Sequence, residues 1–205
     1  MSEFRRRLLM RQGEIPYQQI EYLQSDESTY IDTGIGGDSD DLEINGVFEY
    51  STFALYGAIY GNYIDEETNV TRCILAENNN IAYDNLNTKG AGGSNVVELP
   101  MNTKINYTSN IYQINNGAKS IKRTNLAKGK TNNSNIALFN RFVSPPKLSR
   151  NIGLKVYSFK ISKSGEALRD FVPVRVGDVG YMYDKVSKQL FGGIGTGQFI
   201  LGPDI

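Results

Sequence analysis

The sequence contains no histidine and no tryptophan, and it has one cysteine, Cys73. Without histidine, the chain cannot build the Ser-His-Asp or Cys-His systems of nucleophilic hydrolases, or the usual imidazole zinc sites. A single cysteine cannot form an intrachain disulfide, and a free cysteine is usually a small buried side chain. These absences exclude several enzyme classes and give no indication of an oxidising compartment.

Long apolar runs are also lacking. No stretch approaches the ~18 apolar residues of a membrane-spanning helix, and the N-terminus has no apolar centre of a signal peptide. We therefore expect a protein that is made in the cytoplasm and does not bind a membrane. The 21 glycines, 13 tyrosines and 9 phenylalanines are typical of a turn-rich β protein with a sizeable core.

The last quarter of the chain has the clearest strand pattern. Tyr157, Phe159 and Ile161 alternate with polar residues, which predicts a strand with one buried face. Residues 184–188 have the length of a short hairpin loop between two apolar segments. Pro173 cannot donate a hydrogen bond to a ladder, so we expect its strand to lie at an edge or to contain a bulge.

Two segments carry a family resemblance: IEYLQSDESTYIDTGI at residues 20–35, and RDFVPVRVGDVGYMYDKVSKQLFGGIGTGQFILGPD near the C-terminus. They resemble a family of concanavalin A-like, laminin-G-like jelly-roll proteins, mostly uncharacterised, from gut anaerobes, their prophages and their phages. The chain departs from this family at Glu27 and Lys188, where the family usually has glycine. The resemblance implies a fold and a phage or prophage setting, and it implies no catalytic residue.

These features predict an all-β fold. We expect residues 17–205 to form one antiparallel β-sandwich, a concanavalin A-like jelly roll, after a short helical or extended N-terminal arm at residues 1–16. The continuous apolar run 136–139 predicts a central strand. The predicted core includes Leu138, Phe139, Phe159, Ile161, Val172 and Val174.

The N-terminal arm is rich in arginine and large apolar residues. Ser2 can cap a helix, Phe4 and Leu8 share one face, and Gly13 can end the helix. About ten residues are too few for a stable isolated helix in water. We therefore expect the arm to dock on another protein, and the alternative is a frayed tail. The expected docking residues are Phe4, Arg5, Arg6, Arg7, Leu8 and Leu9.

Charge is unevenly distributed although the net charge is zero. Residues 12–71 hold thirteen acidic residues and no basic one, whereas residues 72–165 hold fourteen basic and three acidic residues. Pairing across interleaved strands is the favoured interpretation. The alternative is a molecule with an acidic face and a basic face that stacks on copies of itself or on a charged scaffold. The dispersed basic residues and a pI near 6.4 argue against nucleic-acid binding.

Candidate binding residues are few. The paired carboxylates of a glycoside hydrolase are not found at the required spacing, and we expect no enzymatic activity. Tyrosines near loop ends could stack on sugar rings, and packing in the core or rim is the alternative. These tyrosines are Tyr56, Tyr60, Tyr63 and Tyr83. The loop with Asp38, Asp40 and Asp41 is a candidate calcium site without EF-hand spacing, and no other cofactor is expected.

Two functions follow as hypotheses. The first is a structural and attachment protein on the exterior of a phage or prophage particle, which binds other virion proteins through residues 1–16 and is present in several copies. The second is a carbohydrate-binding module that recognises bacterial surface glycans.

Overall fold

The computed structural model describes residues 17–37, 42–52, 57–63, 70–77, 80–81, 97–98, 101–108, 113–115, 134–140, 142–143 and 153–205. Of these, residues 57, 63, 70–77, 80–81, 97–98, 113–115 and 142–143 are described by their backbone alone.

Regular structure in this part of the chain consists of strands. Where the chain is described, no helix is long and apolar enough to cross a membrane. The strands are β1 (Gln18–Gln19), β2 (Leu23–Gln24), β3 (Thr29–Gly36), β4 (Leu42–Tyr50), β5 (Gly57–Tyr63), β6 (Val70–Glu77), β7 (Asn80–Ile81), β8 (Val97–Glu98), β9 (Ile105–Thr108), β10 (Gln113–Asn115), β11 (Asn135–Leu138), β12 (Phe142–Val143), β13 (Leu154–Lys163), β14 (Glu166–Val176), β15 (Val179–Asp184), β16 (Gln189–Gly192), β17 (Ile194–Gly195) and β18 (Ile200–Leu201).

The strands form two sheets. The larger sheet has the order β10-β9-β4-β13-β14-β15-β16, with β1 beside β14 and β2 between β13 and β18. The second sheet has the order β17-β3-β11-β5-β6-β7-β8, with β12 beside β5 in a parallel pair. The other pairs named here are antiparallel. The predicted antiparallel β-sandwich is confirmed, and β11 is a central strand as expected.

The core lies between the two sheets. Phe159 and Ile161 of the larger sheet pack in one cluster with Leu138 of the second sheet and with Phe139, as predicted. Val174 is also buried, although it lies outside this cluster. The prediction for Val172 is wrong: this side chain is half-buried. Core residues from the same strand and from the neighbouring β15 are Phe171 and Met182.

The expectation that the strand of Pro173 lies at an edge is also wrong, but the alternative, a bulge in this strand, is present. The bulge lies at Leu168, because Ile161 pairs with Arg169 and Ser162 pairs with Ala167. Strand β14 lies inside the sheet, and Pro173 is opposite Met182 of β15 in an unbroken register. On the other flank, pairing with β13 ends at Phe171 and pairing with β1 begins at Val174. Because Pro173 lies in the gap between these two ladders, its missing N–H interrupts neither of them.

The predicted hairpin loop at residues 184–188 is confirmed between β15 and β16. Asp184 is fully buried and accepts hydrogen bonds from the backbone N–H groups of Val186 and Ser187, at 3.1 Å each. Lys188 closes the loop with a φ of 57°. Glu27 likewise has a positive φ, 69°, so both positions where the resembled family has glycine adopt a left-handed backbone here.

The two segments that carry the resemblance lie side by side. Strand β2 pairs with β18, and β3 pairs with β17. The Asp26 carboxylate joins them because it accepts hydrogen bonds from the Ser28 N–H at 3.0 Å and the Gln198 N–H at 2.8 Å. A Cβ at residue 197 would collide with this carboxylate, so the close approach requires Gly197.

Candidate functional site

Most residues that the sequence suggested for binding lie outside the described part of the chain. This applies to the arm residues Phe4, Arg5, Arg6, Arg7, Leu8 and Leu9, to Tyr56 and Tyr83, and to the predicted calcium ligands Asp38, Asp40 and Asp41. For Tyr63 the backbone is described in β5 and the side chain is not. Within the described residues, no group of three or more Cys, Asp or Glu side chains could hold a metal ion.

Tyr60 is the one glycan-binding candidate whose side chain is described, and it lies in the core. It is 1% exposed. Its hydroxyl is 2.9 Å from the Tyr107 hydroxyl, and its ring centroid is 5.4 Å from that of Phe159. A ring enclosed by both sheets has no face for a sugar, so the prediction for Tyr60 is wrong. Its alternative, packing in the core, is correct.

Charged residues that are far apart in the sequence pair on the outer surface of the larger sheet. Lys155 Nζ lies 2.7 Å from Glu49 Oε1, and Lys104 Nζ lies 2.9 Å from Glu21 Oε1. Each pair joins a carboxylate of the acidic segment 12–71 to an ammonium of the basic segment 72–165. For these four residues, pairing across strands is the interpretation that holds.

A β-bulge places an aromatic ring beside these ion pairs. In the pairing of β13 with β4, Val156 is opposite Phe48 and Ser158 is opposite Val47, so Tyr157 is an extra residue. A bulge of this kind redirects a side chain out of the regular alternation. The Tyr157 hydroxyl donates to Glu49 Oε2 at 2.9 Å, on the side of the sheet away from the core.

Tyr22 completes what we call the outer-face cluster. The Tyr22 and Tyr157 rings meet edge to face, with their centroids 5.6 Å apart. An ammonium lies over each ring: Lys104 is 4.0 Å from the centroid of Tyr157, and Lys155 is 5.0 Å from that of Tyr22. The members of the cluster are Glu21, Tyr22, Glu49, Lys104, Lys155 and Tyr157.

Electrostatics fixes the protonation states within this cluster. Burial favours a raised pKa for Glu49, but the hydrogen bonds from Lys155 and Tyr157 outweigh it and hold that pKa below its usual range. The hydrogen bond to Glu49 raises the pKa of Lys155. Burial, followed by the bond to Glu49, raises the pKa of Tyr157. At neutral pH the cluster therefore presents a charged Lys155–Glu49 pair and a neutral Tyr157 phenol.

The hydrogen bonds within the cluster do not favour proton transfer by Glu49 or Tyr157. The Glu49 carboxylate accepts two short hydrogen bonds in its ionised state, and the Tyr157 phenol is harder to ionise than usual. Neither group is poised to transfer a proton near neutral pH. Sequence analysis missed the cluster because its members come from four distant segments, and the bulge at Tyr157 is not visible as a local pattern.

Comparison of the chain with protein-family models, with curated proteins and with solved structures finds no match.

Proposed function

We propose that the chain is a non-enzymatic structural and attachment protein of a phage or prophage particle. In this proposal a concanavalin A-like jelly roll of residues 17–205 is displayed on the exterior of the particle in several copies. Residues 1–16 dock on another virion protein and hold the domain in place.

The observation that carries this proposal is the way the residues directly after the arm are fixed. Gln18 and Gln19 pair with Arg175 and Val174 of β14. On their other side, the Ile205 N–H donates to the Gln19 carbonyl at 3.1 Å. If the arm docks on another protein, it connects directly to a strand that has hydrogen-bond partners on both sides. The domain would then be held next to the docking protein without a flexible linker.

The neighbours of residues 19–20 give further support. Ile20 forms a bridge with Asp204, and the Gln19 carbonyl accepts a hydrogen bond from the Ile205 N–H, so residues 19–20 lie beside residues 204–205 in the larger sheet. A segment that leaves the domain at Tyr17 therefore starts close to these residues. A domain anchored at this one place keeps most of its surface available for display.

Sedimentation with particles tests the proposal. The full chain and a variant that lacks residues 1–16 would be expressed with the particle and followed through density-gradient purification. We expect the full chain to band with the particles and the shortened variant to remain in the soluble fraction. Far-UV circular dichroism provides the control, because the shortened variant keeps every described strand and should show the same β spectrum.

A point variant separates docking from chain length. Leu8→Asp places a charge in the apolar part of the arm and should reduce particle association in the same way as the deletion. If the full chain does not band with any particle, or if the deletion variant bands equally well, then the arm is not an anchor and the proposal fails.

Recognition of carbohydrate is the second candidate function. The outer-face cluster supports it, because two half-buried tyrosine rings lie there beside hydrogen-bond donors and acceptors. Sugars are commonly bound by such combinations of an aromatic surface with a few fixed polar groups. The two functions are compatible, since an anchored domain can present this surface to a cell.

A further inference from the structure

We propose that, in the free protein, residues 1–16 dock on the outer face of strands β14 and β15 of the same chain. This inference goes beyond the proposed function, because it concerns where the arm lies before any particle is present. It names both a surface of the domain and the segment that covers it.

The part of the larger sheet formed by residues 172–176 and 179–183 is lined on its outer side by valine and tyrosine. Phe171 and Met182 belong to the core cluster, so the residues that alternate with them point outward. Each outward residue of β15 is opposite a valine of β14. The side of a sheet that faces water normally carries polar residues instead. We call this surface the tyrosine–valine face, and its members are Val172, Val174, Val176, Val179, Tyr181 and Tyr183.

Part of the tyrosine–valine face is open. Val179 is 53% exposed, and Tyr181 and Tyr183 are half-buried. Within the described residues no lysine or arginine lies over either tyrosine ring, unlike the rings of the outer-face cluster. Contiguous apolar surface that water can reach is typical of an interaction site.

The arm enters the domain on this face. Tyr17 directly follows the arm, is 39% exposed, and stacks on Tyr183 with the ring centroids 4.7 Å apart. The sixteen residues of the arm can span about 50 Å when extended. Strands β14 and β15 lie only about 5 Å apart, and the six residues of β15 span about 20 Å. The arm is therefore long enough to reach every part of the face.

The composition of the arm matches the composition of the face. Phe4, Leu8 and Leu9 are large apolar side chains that lose contact with water when they pack on the valines. The arm also has four arginines, and an arginine guanidinium stacks favourably on a tyrosine ring. An exposed carboxylate, that of Asp178, lies in the turn next to Val179 and can pair with one of these arginines.

The connection through Tyr17 favours the arm of the same chain over the arm of a second copy. A segment that is joined to its site by a short stretch of chain has an effective concentration on the order of 1 mM. A second copy competes only at its bulk concentration, which is micromolar in a dilute sample. Docking of the arm on a particle protein therefore has to release it from the tyrosine–valine face.

Paramagnetic relaxation in amide NMR spectra of the full chain tests this contact. A nitroxide is attached at Ser2→Cys in a chain that also carries Cys73→Ser, so that the label has a single site. We expect the amide signals of residues 172–176 and 179–183 to broaden more than those of residues 135–138 in the second sheet. Leu8→Asp in the arm and Val179→Asp in the face should each remove most of this broadening.

Chemical shifts of the chain without label and with Cys73 intact give a second measurement. Leu8→Asp removes an apolar contact of the arm and should shift the amide signals of the tyrosine–valine face. This measurement provides the test even if Cys73→Ser is unstable.

The matched control is Ile200→Asp. Val179 and Ile200 are β-branched residues of similar exposure, 53% and 50%, but Ile200 lies in β18, which pairs with β2. Ile200→Asp should leave the broadening of the face unchanged. Thermal unfolding of each variant checks that it is folded.

A mixed sample distinguishes the two possible occupants. Isotope-labelled chain without nitroxide is combined with nitroxide-bearing chain that carries no isotope label. Broadening of the face in this mixture means that a second copy supplies the arm, and we expect none.

The inference is overturned if the face signals do not broaden, if Val179→Asp and Ile200→Asp have equal effects, or if the mixed sample broadens as strongly as the singly prepared one. These outcomes leave the attachment function standing if the full chain still bands with particles. Val179→Asp changes the face and not the arm, so it should not reduce banding. Conversely, an arm that docks on its own domain without arm-dependent banding would reject attachment alone.

Discussion

Replacing Lys188 with glycine should stabilise the protein or leave its stability unchanged. Lys188 ends the β15–β16 loop with a φ of 57°, and its N–H donates to the Asp184 carbonyl at 2.8 Å. Its side chain is exposed and forms no hydrogen bond or ion pair with the described residues. The backbone geometry is therefore the main feature that the substitution changes.

The expected gain follows from two opposing terms. A left-handed backbone costs a non-glycine residue about 1–2 kcal/mol. Glycine removes that cost but gives the unfolded chain additional freedom, which lowers stability by about 0.4–1 kcal/mol. The net change lies between zero and about 1.5 kcal/mol in favour of Lys188→Gly. With a urea m-value of about 2 kcal/mol/M, a gain of about 1 kcal/mol raises the unfolding midpoint by about 0.5 M.

Two companion variants isolate the backbone effect. Lys188→Ala removes the same side chain but keeps the left-handed cost, so its midpoint should not rise. Glu27 has a similar φ, 69°, but its carboxylate accepts a hydrogen bond from Thr52 Oγ1 at 2.6 Å. Thr52 Oγ1 in turn accepts one from the Gly153 N–H at 2.6 Å. Glu27→Gly loses this connection, so it should gain less than Lys188→Gly.

Urea unfolding followed by circular dichroism, with linear extrapolation, measures all three variants. The reasoning is refuted if Lys188→Gly lowers the midpoint, or if Lys188→Ala raises it as much as glycine does. The second result would assign the effect to the lysine side chain instead of the backbone.

Three further predictions concern the core and the outer-face cluster. Phe159→Ala should lower the free energy of unfolding by about 3–5 kcal/mol in the same urea assay, and a near-neutral effect would contradict its burial. Tyr60→Phe and Tyr107→Phe should each cost about 0.5–1.5 kcal/mol, and the double variant should cost less than their sum, because both remove one cross-sheet hydrogen bond. Because the folded-state pKa of Glu49 lies below its usual 4.5, its contribution to stability is present above that pH and is lost as pH falls through the folded pKa. Glu49→Gln should therefore flatten the acid limb of a stability–pH curve, and an unchanged limb would contradict this.

The sequence predicted features that depend on local patterns. The continuous apolar run 136–139 identified the central strand β11, and the spacing of residues 184–188 identified the β15–β16 loop. The alternation at Phe159 and Ile161 identified two core positions. In these cases the side-chain period or the turn length is itself the physical cause of the structure.

Features that depend on neighbouring strands were not predictable. Pro173 is tolerated inside the larger sheet because two different strands pair with the same side of β14, one on each side of Pro173 along the chain. Strand β13 pairs as far as Phe171, and strand β1 pairs from Val174 onward. That arrangement brings residues 18–19 beside residues 174–175, and no local pattern encodes it. The half-buried position of Val172, where a core residue was expected, has the same kind of origin, since burial on β14 depends on what covers each face.

Tyr157 accounts both for an error in the predicted strand pattern and for the origin of the outer-face cluster. The alternation Tyr157, Phe159, Ile161 predicts one common face, yet Phe159 and Ile161 belong to the core cluster and Tyr157 does not. The bulge opposite β4 adds one residue and moves Tyr157 to the outer face, where it meets Glu49. A bulge is defined by its partner strand, and Glu49 is 108 positions away in the chain. The same irregularity that breaks the predicted pattern therefore creates the cluster, so deletion of Tyr157 should remove the hydrogen bond to Glu49 while β13 and β4 remain paired in a regular register.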